Sequence, residues 1–135
     1  MTDLQLFLSE NPVDNITEEV RLGGRLKDFK FMVKPLTTAE MTRYRKLCIK
    51  NANSAKKREF DLIKFNELLI INNVVTPSFK DADWIRQMNV ATPEALLNKV
   101  LLAGEISELA DKISEISGFN LDEEEVEELE DELKN

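Results

Sequence analysis

The residues of this chain with the greatest chemical potential are carboxylates, and they crowd its C-terminal end. Residues 120–135 hold nine acids (Asp122, Glu123, Glu124, Glu125, Glu127, Glu128, Glu130, Asp131 and Glu132) against one base, Lys134. With 26 acids and 18 bases in the whole chain, residues 1–119 keep 17 of each, so the net charge of −8 belongs to the end and the rest is formally neutral. Within the acidic run, Val126, Leu129 and Leu133 fall at i, i+3 and i+7, one stripe of a helix, with Glu124, Glu128 and Asp131 among the flanking carboxylates. A helix of that kind suits an apolar groove on another protein, which makes these six the candidate partner-binding residues. Standing alone it is penalised, because Glu123/Glu127, Glu124/Glu128 and Glu128/Glu132 are like-charged i,i+4 pairs costing roughly 0.2–0.5 kcal/mol each. It is expected to fray when free and to order on a partner. A solvated tail with no partner is the alternative reading of the same residues.

Catalytic and metal chemistry find little support. The chain has no histidine, the usual proton carrier near neutral pH and the commonest zinc ligand. Cys48 has no imidazole to activate it and shares a helical face with Met41, Tyr44 and Leu47, which suits a small core residue better than a nucleophile. Gly23-Gly24 lacks the Gly-Lys-Ser/Thr ending of a phosphate cradle and reads as a turn. Asn120, Asp122 and Glu124 alternate as calcium-loop ligands do, but Glu125 stands where the sharp turn needs glycine. Arg43, Arg45, Lys46, Lys50, Lys56, Lys57, Arg58 and Lys64 could touch phosphate, yet few aromatics interleave with them, so a solvated helix face is expected and no nucleic-acid partner. Such a patch could also receive the acidic end of a neighbouring copy, making a homo-oligomer. No enzyme, metal or cofactor is expected.

The elements that would position these residues form an α+β fold in which helices predominate. Residues 1–119 are expected to make one body and 120–135 the acidic amphipathic tail. Residues 1–16 begin with an apolar cluster, Leu4, Leu6, Phe7 and Leu8, cut off by Asn11-Pro12, and read as a loosely docked arm. Residues 17–36 read as a small β-hairpin: Phe29, Phe31 and Val33 alternate as on a strand with one buried face, and the glycine pair supplies the connection. Residues 37–119 read as about five helices. Thr37 and Glu40 have capping-box spacing, and the polar run Asn51 to Arg58 should loosen or interrupt the helix they start. Residues 59–75 are apolar around most of a helix circumference and should be the central buried helix. A short helix from about Asp81 carries Trp84, Ile85 and Met88, and Thr92-Pro93-Glu94 starts another. Gly104 marks a kink or boundary, and Ser117-Gly118-Phe119 a glycine C-cap.

Size and composition agree with a binding protein. A chain of 135 residues with 42% hydrophobic content can bury a core without disulfides. One cysteine forbids an internal bridge and suits a reducing compartment. The longest aliphatic run, Leu68 to Ile71, is far short of the ~20 residues that span a bilayer. Met1 to Gln5 lacks the marks of an export signal, so a cytoplasmic protein is expected.

In order along the chain, Phe7-Leu8 with Asn11-Pro12, the Phe31-Met32-Val33-Lys34-Pro35-Leu36-Thr37 junction, Leu68 to Ile71 leading to Pro77, Trp84, Thr92-Pro93-Glu94, Gly104-Glu105-Ile106 and Ser117-Gly118-Phe119 resemble the XkdN-like tail assembly chaperones of long-tailed phages and prophages. The likeness spans nearly the whole chain and resides in the order of these pieces. It implies an assembly factor of the host bacterial cytoplasm, absent from the mature virion. Such a factor binds the tape measure protein, keeps it soluble and helps the tail tube protein polymerise around it. Many such systems also make a longer product by ribosomal frameshifting, and Lys134-Asn135 is what an A-AAA-AAC slippery heptamer would encode. The rival classes are a structural tail completion or connector protein, found in purified particles, and an acidic regulatory protein, whose binding would weaken steeply with salt.

Overall fold

Capping chemistry fixes where most helices begin. In the computed structural model, which describes residues 1–119, Thr37 Oγ1 accepts from the Glu40 amide at 3.2 Å while Glu40 returns a carboxylate to the Thr37 amide, and α2 (Thr38–Leu47) follows. Thr92 Oγ1 takes the Ala95 amide at 3.1 Å with Pro93 in the first turn of α5 (Pro93–Val100), and Asp81 caps α4 (Ala82–Gln87). Gly118, at φ 86°, closes α6 (Ala103–Ser117), where the Phe119 amide donates to Ser114 O at 3.0 Å. The side chain of Phe119 packs against the core, as a glycine cap with a hydrophobic return requires.

The expected loose arm begins instead with a capping box. Thr2 Oγ1 accepts from the Gln5 amide at 3.1 Å and Gln5 Oε1 accepts from the Thr2 amide at 2.7 Å, so the arm opens as a helix, α1 (Asp3–Glu10). The signal was the Thr-x-x-Gln spacing itself.

The hairpin is present with a wider connection. β1 (Glu18–Val20) pairs antiparallel with β2 (Phe31–Val33), Glu18 opposite Val33 and Val20 opposite Phe31. Between them lies a 3₁₀ turn, Gly24–Leu26, which needs the left-handed φ of 65° at Gly24. Phe31 and Val33 are buried as expected, but Phe29 stands outside the strand and 63% exposed, because its amide closes a turn onto Leu26 O.

Two corrections concern strands. The central helix is α3 (Leu62–Asn73), shorter than residues 59–75. Val74 to Thr76 form β5 on the far side of β2, giving a sheet of order β1-β2-β5, and a strand partner outweighs a further helical turn for two β-branched valines. At the other end, β3 (Ile49–Lys50) pairs with β4 (Glu59–Phe60), so the polar run 51–58 is the connection of a two-stranded ribbon that brings the chain back onto α3. The boundary placed at Gly104 lies two residues earlier, where Leu101 and Leu102 are extended, and Gly104 sits in the first turn of α6.

The core lies where α3 crosses α6, with α5, α2 and the sheet around them. Phe65, Leu69 and Ile70 of α3, Leu96 and Leu97 of α5, and Leu109 and Ile113 of α6 have no exposed surface, and each such side chain contributes roughly 1.5–3 kcal/mol by burial. Asn73 is the polar pin: its Nδ2 donates to Lys34 O at 2.9 Å and its Oδ1 accepts from the Tyr44 hydroxyl at 3.3 Å, joining α3, β2 and α2. Ser117 Oγ accepts the Leu36 amide at 2.7 Å and ties the start of α2 to the end of α6. Cys48 is buried, and that burial pushes its thiol up to about 11, so it is a core residue as expected. No helix among the described residues is long and apolar enough to cross a membrane.

Candidate polypeptide-docking surface

The connection between β1 and β2 builds one wall of an open groove. Leu26 and Phe29 come from that connection, Phe31 from the strand, and Phe79, Trp84 and Leu101 from the opposite side. The cavity is about 320 Å³, and the Phe79 and Trp84 rings forming its floor lie 5.4 Å apart. Phe79 is held in the core while Phe29 stands in solvent, so the groove has a fixed floor and one exposed aromatic lip.

Cations edge it. The Arg25 guanidinium reaches across to α6, its Nε donating to Glu105 Oε2 at 2.8 Å and its Nη2 to Glu105 Oε1 at 2.7 Å and to Val100 O at 2.9 Å. Glu105 is only 8% exposed and also accepts the Leu102 amide at 2.7 Å. The Arg25 hydrogen bond, then the Leu102 amide, hold its carboxyl below the usual range, and the same contact raises Arg25. This bidentate pair therefore fixes the connection against the first turn of α6. Lys30, on the other edge, is exposed and makes no ion pair among the described residues.

Leu101 also lines a second hollow, of about 350 Å³, between α3 and the start of α6. Its rim carries Ile63, 74% exposed, and its wall carries Glu67, whose carboxyl is pushed up chiefly by burial. The two hollows share Leu101, and the second is the more polar, with Asn66, Glu67, Asn98 and Ser107 in its lining.

The third apolar surface is α1. None of its residues is buried: Leu4 is 65% exposed, Phe7 59% and Leu8 60%. These three occupy i, i+3 and i+4, one face of the helix.

The sequence-derived candidates fall elsewhere. Val126, Leu129, Leu133, Glu124, Glu128 and Asp131 lie outside the described residues, as do Asn120 and Asp122. Arg43, Arg45, Lys46, Lys50, Lys56, Lys57 and Lys64 are exposed, on α2, β3, the 51–58 connection and α3, where Arg43 sits 5.3 Å from the Tyr44 ring centroid and Lys50 pairs with Asp61 at 3.8 Å. The single helix face expected is instead divided among these elements. The groove itself was not visible in the sequence; the one available hint was an aromatic, Phe29, between Asp28 and Lys30 at the foot of a strand.

Comparison with known proteins gives this surface a setting. The model of the family described as phage XkdN-like tail assembly chaperone protein matches residues 4–134. The phage-like element PBSX protein XkdN of Bacillus subtilis (strain 168) is 28% identical over 142 residues, covering 98% of this chain and 94% of that relative. The fold is also similar to the crystal structure of the protein YqbN, with a TM-score of 0.64 at 24% identity, over 89% of this chain and 99% of that one.

Proposed function

The chain belongs to the phage XkdN-like tail assembly chaperone family, and from that premise we propose that it binds the tape measure protein, keeps that long helical polypeptide soluble and promotes polymerisation of the tail tube protein around it. The observation that carries this reading is the family match over residues 4–134, which takes in the body and nearly all of the acidic end. The structure supports it with apolar surface left open on a folded body, at Ile63 and Leu102. Such surface suits a protein whose role is to cover the stripes of an aggregation-prone helical client. The family role is non-enzymatic. The protein would act in the host bacterial cytoplasm and be absent from the finished particle.

The client face we assign is the acidic stripe, with Val126, Leu129 and Leu133 inserting and Glu124, Glu128 and Asp131 steering cationic side chains of the client. The body, 1–119, and the tail, 120–135, then act as separable units. Deleting 120–135 should leave the thermal unfolding of the body unchanged and weaken binding to the tape measure protein on the order of 100-fold, and Leu129→Asp should weaken it by roughly tenfold. Binding by the truncated body equal to that of the whole chain would refute the tail assignment. Failure of the whole chain to bind any tail component, together with its presence in purified particles, would refute the function.

A further inference from the structure

We propose that α1 is an exchanged arm: it docks through Leu4, Phe7 and Leu8 in the Phe29–Trp84 groove of a second copy of this chain. The proposal stands independently of the client named above.

A lone eight-residue helix is below the length that holds together in water, whatever its cap, because nucleation costs more than so few hydrogen bonds return. α1 has its capping box but no buried residue, so the packing that would sustain it must come from outside its own body. The body meanwhile holds an open apolar groove of about 320 Å³.

Charge selects the occupant. Residues 1–16, the arm, contain three acids, Asp3, Glu10 and Asp14, and no lysine or arginine. The segment 25–30 that walls the groove contains Arg25, Lys27 and Lys30 against Asp28 alone. Arg25 is engaged by Glu105, which leaves Lys30 of the lining to meet the arm. An acidic apolar helix and a cationic apolar groove on the same chain are complementary, and every copy carries both.

Geometry sends the arm to a neighbour. Its root, Val13 and Ile16, lines a hollow with Leu36 and Ser117, at the C-terminal end of α6, whereas the groove opens by Leu101 and Glu105 at the other end. From Glu105 to Ser117 is 12 residues of α6, about 18 Å, while a helix as short as α1 spans about 12 Å. With residues 11–12 adding at most about 7 Å, the arm of the same chain reaches the groove only at full stretch, and that of a second copy is under no such tether. Reciprocal exchange closes a dimer with two equivalent arm contacts.

The test uses the full chain in light scattering behind size exclusion over a concentration series. Phe7→Asp with Leu8→Asp breaks the arm, and Phe29→Asp breaks the groove at an exposed side chain, with urea unfolding to verify that each body is intact. Wild type should associate, and each broken variant should need on the order of 100-fold more protein to do so. An equimolar mixture of the arm-broken and groove-broken chains should recombine, since one retains the groove and the other the arm. Lys30→Glu should weaken association by several-fold without touching apolar packing. A wild type that stays monomeric, variants that associate as wild type does, or a mixture that fails to recombine would each overturn the proposal. Loss of client binding alone by the arm-broken chain would reassign α1 to the client and overturn it equally.

Discussion

α3 and α1 are both rich in leucine and phenylalanine and both open on a side-chain cap, yet one is the most buried helix described and the other has no buried residue. Phe65, Leu69 and Ile70 of α3 are fully enclosed because α6, α5, α2 and β5 lie around that helix. Phe7 and Leu8 of α1 remain 59% and 60% exposed because only the segment 11–17 connects the helix to the rest. Apolar content thus sets how much a helix gains from a partner, and the neighbouring elements decide whether that partner is inside the chain.

Single truncations should separate the two regions. Phe65→Ala removes a ring with no exposed surface that also touches Phe60 at 5.3 Å, and should cost about 3–5 kcal/mol in urea unfolding. Asn73→Ala leaves the Tyr44 hydroxyl and Lys34 O without their buried partner and should cost about 1–3 kcal/mol by the same measurement. In dilute solution, where copies are separate, Phe7→Ala should change unfolding by less than about 0.5 kcal/mol. A loss at Phe7 comparable to that at Phe65 would place α1 inside the body and end the contrast.

A pH scan sharpens the same contrast. Burial raises the Cys48 thiol from 9.0 to about 11, so folding favours its neutral form. The resulting stability is complete below pH 9 and is lost as the pH climbs towards 11. Native Cys48 should therefore resist alkylation at pH 8, and Cys48→Ala should show a flatter stability profile over that alkaline window. At the acid end the sign reverses. The lowered Glu105 carboxyl contributes stability above the ordinary glutamate value of 4.5 that disappears as the pH falls through its folded value, so Glu105→Gln should flatten the acid limb. Rapid alkylation of native Cys48 at neutral pH would contradict the core assignment.

Much of this architecture was readable from local chemistry. Thr37 with Glu40, Thr92 before Pro93, and Gly118 before Phe119 each act through hydrogen bonds within a few residues, so their spacing suffices to place helix ends. Thr2 with Gln5 carries the same signal, on a helix that Asn11-Pro12 cuts short. Strands were harder, since Val74 becomes β5 only because β2 lies beside it, and β3 exists only because the chain returns after residue 58. The groove was least legible of all. Its walls come from residues 25–31, 77–84 and 100–101, and Phe29, assigned to a buried face by its alternation with Phe31 and Val33, turned outward where the strand ended.

The most direct measurement is the soluble fraction of the tape measure protein from the virus or prophage that encodes this chain, expressed with and without it. If the protein works by covering a helical client, co-expression should move the tape measure protein from the pellet to the supernatant and recover the two as a complex. A tape measure protein that pellets equally in both cases, with no complex recovered, would contradict that mode of action.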